Sequence, residues 1–289
     1  MIQGGLLYHT VGSAPCRAVR MLAKELGVEL ELRCLDVFAG DHMKPDFLEI
    51  NPQHTLPTLV DGDFVLSESR AILTYLMNKY APESDLYPQH IKARAQVERL
   101  LYYDMGMLYK SMLDVFLAPI FGFFSPEDSG ERLKGVLVFL DEHILGDNAY
   151  ITGDKFTIAD ISIGASLTLL EASNYVIALL QLSKGYISQE NASQFAFEFG
   201  FPDAPRLEKF YEERIKSLPY FYEVNAEGID ALRKGMPRQE TKNENENNRE
   251  ADATPENAEE APQADVRAGL ETPSVEGCQA ENAEDEEIV

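Results

Sequence analysis

A chain of 289 residues with a net charge of −24 has the length for one or two domains with a full core, and the sign of its charge argues against a nucleic-acid surface. Its three cysteines, Cys16, Cys34 and Cys278, are an odd and sparse set that makes no disulfide framework and fits a reducing, cytoplasmic compartment. No apolar run approaches the roughly 20 residues that span a bilayer, and the opening MIQGGLLYHTVGS has neither a basic stretch nor a long apolar one, so neither a membrane segment nor a cleaved leader is expected.

In chain order, GLLYH (residues 5–9) is a short apolar run that reads as a strand. APCRAVRMLAKELGV follows, with Ala18, Met21, Leu22 and Leu26 at helical spacing and a stop at Gly27. ELELRCLDV alternates Leu30, Leu32 and Cys34 as a strand does, and a short helix is expected over residues 42–49. PTLVDGDFVLSE reads as two short strands about Asp61-Gly62, a strong hairpin signal. SESRAILTYLMNKY is a helix with serines near its start. Residues 1–80 thus form a mixed α/β domain of order βαβαββα. YAPESDLYP is a linker to residues 89–235, which carry only helical signals: one long amphipathic helix over 91–121 and another over 131–146. In DKFTIADISIG, Thr157 and Asp160 have capping-box spacing, with Phe156 and Ile161 placed as its hydrophobic staple. The last segment, 236–289, holds 16 acidic and 4 basic residues and no aromatic. It cannot bury enough apolar surface to offset ordering entropy, and is expected to be a disordered, solubilising acidic tail.

Two stretches carry chemistry. VGSAPCRAVR (11–20) places Ser13 and Cys16 three apart where a strand gives way to a helix. The pair reads as a disabled dithiol site, a serine nucleophile, or a hydroxyl that meets a thiol brought from elsewhere. A serine nucleophile needs a base; there is no G-x-S-x-G elbow, and the nearest histidine, His9, falls on the preceding strand. In NPQHTLPTL (51–59), Pro57 stands at the head of a strand. A cis bond there, facing the first helix, would leave the backbone of Leu56 free to pair with an extended peptide.

The combination of GSAPCR (12–17), MKPDF (43–47), NPQHTLPTLVD (51–61), ESRAI (68–72), LYP (86–88), DMGMLY (104–109) and TIADIS (157–162) resembles the cytosolic glutathione S-transferases, the insect delta class above all with epsilon as its neighbour. The resemblance runs to about residue 172 and resumes near Leu207. It implies a thioredoxin-like domain (1–80) that binds glutathione, an all-helical domain (89–235), and a two-fold homodimer. It makes Ser13 the catalytic residue, donating a hydrogen bond to the glutathione sulfur at a helix N-terminus whose dipole favours the same negative charge. A free thiol titrates near 8.5, and lowering that by about one to two units takes about 1.4 to 2.7 kcal/mol of preference for the anion, within reach of one charge-assisted hydrogen bond and part of a dipole. Cys16 is then a buried packing thiol.

By the same resemblance Ser69 and the helix start around it take the γ-glutamyl carboxylate, Glu68 pairs with the amine, Arg70 lies beside it, Leu56 and Pro57 hold the cysteinyl unit, and His54 and His42 approach the glycyl carboxylate. Glutathione is the co-substrate, and no metal is implied. Met105, Tyr109, Met112 and Phe116 fall on one face of the long helix. Such a stripe serves as core; by resemblance part of it faces a small hydrophobic electrophile. The chain departs from the family at Val11, where a proline is usual, and near Ser67, where a tryptophan is usual. Phe210 stands for the aromatic of the last helices, and an insertion occupies residues 174–202. The expected activity is transfer of glutathione to hydrophobic electrophiles, with peroxidase or dehydrochlorinase side activity from the same thiolate. The alternative is a non-catalytic ligand carrier or scaffold of the same fold.

Overall fold

The computed structural model describes residues 2–118, 124–183, 201 and 203–233, with the backbone alone for 117 and 172–183. The acidic tail and residues 184–200 of the insertion lie outside the described residues.

The sheet begins with β1 (Ile2–His9), crosses through α1 (Ala14–Glu25) and returns as β2 (Val28–Cys34) parallel to β1. Gly27 ends α1 with φ +65°, a left-handed turn that glycine adopts without penalty. A 3-10 turn (Asp41–Met43) and α2 (Pro45–Leu48) stand where one short helix was expected. The hairpin forms about Gly62 (φ +67°), joining β3 (Thr58–Asp61) to β4 (Phe64–Ser67), and α3 (Ser69–Tyr80) follows. Strand order is β2-β1-β3-β4, with β1–β3 and β3–β4 antiparallel. This is the thioredoxin-like pattern. Its centre is Leu7, which pairs with Leu32 on one side and Leu59 on the other and packs with Val19, Met21, Leu22, Ile72 and Leu73. The alternation in β2 does not mark a fully buried face: Leu32 is 46% exposed and Cys34 exposed, because β2 is an edge strand.

The helical region departs from one expectation. The long helix is not uniform: α4 (Ile91–Tyr103) runs into a π-helical turn (Asp104–Leu108), α5 (Tyr109–Met112) and a second π turn (Leu113–Leu117). A π turn holds an extra residue, so the side-chain stripe swings as the helix proceeds. Next come α6 (Ser129–Phe139) with a π turn to Leu145, α7 (Ile158–Ser183), α8 (Pro205–Phe210) with a π turn to Ile215, and α9 (Phe221–Arg233). The capping box forms as spaced: the Thr157 hydroxyl accepts the Ala159 N–H, and the Asp160 carboxylate accepts the N–H of Thr157 at 2.7 Å and of Ile151 at 2.8 Å.

α7 is the hub. Ile158, Ile161, Ile163, Ala165 and Leu167 are fully buried, and Asp160, Ser162 and Thr168 beside them are buried too, so this is an interior helix that carries its polar groups inside. α1, α4 and α9 all pack on it, so sheet and helices share one hydrophobic core. Among the described residues no helix is long and apolar enough to cross a membrane.

Candidate active site

Strand register brings the predicted residues to one end of the sheet. Tyr8 pairs with Thr58, and Thr58 with Ser67. The turn after β1, the segment before β3 and the end of β4 are therefore neighbours, and they carry Ser13, Leu56-Pro57 and Glu68-Ser69.

Ser13 is the N-cap of α1, half-buried, with extended backbone. Its Oγ accepts the Cys16 N–H at 3.3 Å, satisfying one of the free amides at a helix start. With the oxygen engaged as acceptor, the hydroxyl hydrogen is what an incoming sulfur can use. Cys16 also has its sulfur near this hydroxyl, but burial pushes its thiol up to about 11. It stays neutral, and a neutral thiol is a weak acceptor. Cys16 is fully buried.

The Leu56–Pro57 bond is cis. The preceding loop is pinned by Asn51, whose amide donates to the Thr55 carbonyl, the Thr55 hydroxyl and the Thr58 hydroxyl at 3.1, 3.2 and 2.8 Å. That loop lifts His54 out at φ +48°. His42, from the 3-10 turn, comes beside it, with ring centroids 6.1 Å apart. The two histidines, 12 positions apart in sequence, thus lie side by side, and the buried Nδ1 of His42 has no hydrogen-bond partner among the described residues.

Glu68 caps α3 with φ +69°, a conformation that costs a non-glycine residue about 1–3 kcal/mol and that clusters at functional sites. Its exposed carboxylate takes no hydrogen bond within the described chain. Ser69 is 3% exposed, and its Oγ accepts from Arg70 Nη1 at 3.0 Å. Arg70 Nη2 donates to Asp104 Oδ2 at 2.6 Å, and the Ser162 hydroxyl donates to the same oxygen at 2.5 Å. Asp104 is wholly buried and Arg70 nearly so. Asp104 and Ser162 were not among the expected site residues. Their link to Arg70 spans the two halves of the fold; the only trace in the sequence is a charged Asp104 in an otherwise apolar helical face.

The helical stripe divides. Tyr109 is half-buried with the Arg70 guanidinium 5.4 Å above its ring, and burial pushes its hydroxyl up to about 12. Met105 is 43% exposed, whereas Met112 and Phe116, at 0% and 2%, belong to the core. The stripe thus serves as core at Met112 and Phe116, as expected of such a row, and of the four only Met105 and Tyr109 keep exposed surface for an electrophile.

The glutathione S-transferase N-terminal domain family matches residues 7–84. A Nilaparvata lugens delta-class glutathione transferase is 36% identical over 79% of this chain and 96% of its own length, with a TM-score of 0.64. Bombyx mori glutathione transferase BmGSTD1 is 32% identical over 81% and 99%, at 0.68. A housefly (Musca domestica) epsilon-class enzyme is 30% identical over 79% and 95%, at 0.65. Those relatives are matched almost end to end, across sheet and helices alike, so the chain belongs to the glutathione S-transferase family and has insect delta- and epsilon-class enzymes among its relatives.

Proposed function

We propose that this chain is a catalytically active transferase in which Ser13 stabilises the thiolate of glutathione for attack on small hydrophobic electrophiles. The observation that carries this reading is the Ser13 cap, with its oxygen occupied by an amide and its proton left for a sulfur. Residues 1–80 hold the tripeptide: Ser69 and the amides at the start of α3 take the γ-glutamyl carboxylate, Glu68 its amine, the Leu56 backbone before Pro57 the cysteinyl unit, and His54 with His42 the glycyl carboxylate. Arg70 holds Ser69 in place. Tyr109 and Met105 face the electrophile, with Met112 and Phe116 as packing beneath them. A homodimer in the cytoplasm fits the exposed apolar Phe64, Val65 and Tyr102, and the same thiolate supports peroxidase or dehydrochlorinase side reactions.

Ser13→Ala tests this reading. It should move the thiol pKa of bound glutathione toward its free value and shift the pH–rate profile alkaline. It should also cut kcat/KM near neutrality by about one to two orders of magnitude, with little change in glutathione affinity. A nearly silent Ser13→Ala, with Cys16→Ala abolishing turnover, would make Cys16 the reactive thiol and refute it.

A further inference from the structure

Arg17, on α1 one turn after Ser13, is completely buried. A cation in an apolar interior is costly unless it is held. Arg17 is held without a carboxylate: Nε donates to Asn225 Oδ1 at 3.1 Å, Nη1 to the Val11 carbonyl at 2.9 Å, and Nη2 to Thr168 Oγ1 at 2.6 Å. The acceptors are fixed in turn. Thr168 donates its own proton to the Ala165 carbonyl at 2.6 Å, so its oxygen is committed to accepting. The Asn225 amide nitrogen donates to the Phe221 carbonyl at 2.9 Å and approaches Met21 Sδ at 3.4 Å.

This arrangement is expensive. Burial brings the guanidinium down to about 10, and the groups facing it are Tyr109, Cys16, Tyr211 and the like-charged Arg20. A methionine would fill the same space without that cost, so packing does not account for the residue. Val11 does: its carbonyl lies in the turn between β1 and α1, two residues before Ser13. The same carbonyl is pressed from below by α9, where a Cβ on Gly228 would sit 2.2 Å from it and 2.7 Å from Arg17 Nη1. α7 and α9, far along the chain, thus grip the turn that aims the Ser13 hydroxyl.

We propose that Arg17 is a positioning residue, which with Thr168 and Asn225 fixes the Val11–Ser13 turn, so that the last described helix sets the geometry of the thiolate site. This rests on the reading of Ser13 given above. Arg and Lys are not interchangeable here, because only the planar fork reaches three acceptors at once.

The test is Arg17→Met and Arg17→Lys, each alone and Arg17→Met combined with Ser13→Ala. The readouts are the ultraviolet titration of the bound glutathione thiol, steady-state kinetics with a chromogenic electrophile, and amide hydrogen exchange of the peptide spanning residues 10–16. Arg17→Met should raise the thiol pKa by about one unit, lower kcat about tenfold at neutral pH, leave KM for glutathione within about twofold, and speed exchange in 10–16 but not in β3. Arg17→Lys should not rescue it. In the Ser13→Ala background, Arg17→Met should add nothing further to the thiol pKa. The proposal is overturned by unchanged exchange and thiol pKa in Arg17→Met, by full rescue with lysine, or by an undiminished pKa rise without Ser13, which would mean that the charge acts directly. Thr168→Val should give the same pattern at smaller size, and it decides the matter where Arg17→Met does not fold. Should Ser13→Ala leave the thiol pKa unmoved, the reading of Ser13 fails, and faster exchange in Arg17→Met still upholds the support of the turn.

Discussion

Asp104→Asn is the sharpest probe of how the helices serve the glutathione side. Asp104 is 0% exposed and holds Arg70, itself 13% exposed, at 2.6 Å. Breaking a buried pair by removing one partner costs about 3–5 kcal/mol. The slight exposure of Arg70 lets its charge find water, and asparagine keeps one neutral hydrogen bond worth about 1 kcal/mol. The expected loss is therefore about 2–3 kcal/mol, and for a folded unit of this size it lowers the melting temperature by about 4–12 °C. Function should follow the geometry. Arg70 also donates to Ser69 Oγ at 3.0 Å, so a loosened Arg70 frees the hydroxyl that we propose meets the γ-glutamyl carboxylate. KM for glutathione should rise several-fold, and kcat should fall less. Thermal unfolding and initial rates with varied glutathione read both effects. A melting point within about 1 °C of the parent, or a collapse of kcat with KM unchanged, would refute the reasoning.

Two further expectations concern titration. His9 is 4% exposed, and burial, followed by the charge of Arg20, holds its pKa down at about 4. Between pH 6.5 and 4 the unfolded chain binds the proton that the folded chain refuses. Stability should therefore fall as pH drops through that window, by up to about 3 kcal/mol; if denaturant midpoints of His9→Phe keep the same slope as the parent, His9 is not the cause. Cys16, with its thiol near 11, should resist alkylation at neutral pH while exposed Cys34 is labelled faster, by about tenfold or more; peptide mass spectrometry showing Cys16 modified first would contradict its burial.

The sheet half was legible because its punctuation is local. Gly27 and Asp61-Gly62 demand specific backbone turns, and the spacing of Met21, Leu22 and Leu26 announces α1 without help from distant chain. The resemblance supplied roles for Ser13, Glu68 and Ser69 that spacing alone leaves open. What was hidden is non-local. A run such as YYDMGMLYKSM has a clean helical period, and nothing in it reveals the two π turns, Asp104–Leu108 and Leu113–Leu117, that interrupt the helix. Ser162 and Arg70, 92 positions apart, meet on one oxygen of Asp104. Nothing in the sequence around Arg17 announces its burial, which depends on Thr168 and Asn225, neither of which has any local signature.

The grip of α7 and α9 on the β1–α1 turn has a consequence for synthesis. Arg17 leaves the ribosome with Val11 already made but two of its three acceptors still to come: Thr168 follows 151 positions later and Asn225 208 positions later. At about 5–20 residues per second, the wait for Asn225 is about 10 to 40 s. Through that interval the nascent sheet carries a guanidinium that belongs in the interior and has only the Val11 carbonyl to meet it there, so α1 must keep that side wet. Chains cut short before α9 would hold every expected glutathione-binding residue and still lack the helix proposed to fix the turn that aims Ser13. Order of synthesis thus places the chemistry first and its alignment last, and a proteolytic clip near the end of α9 would act on the opposite end of the sequence.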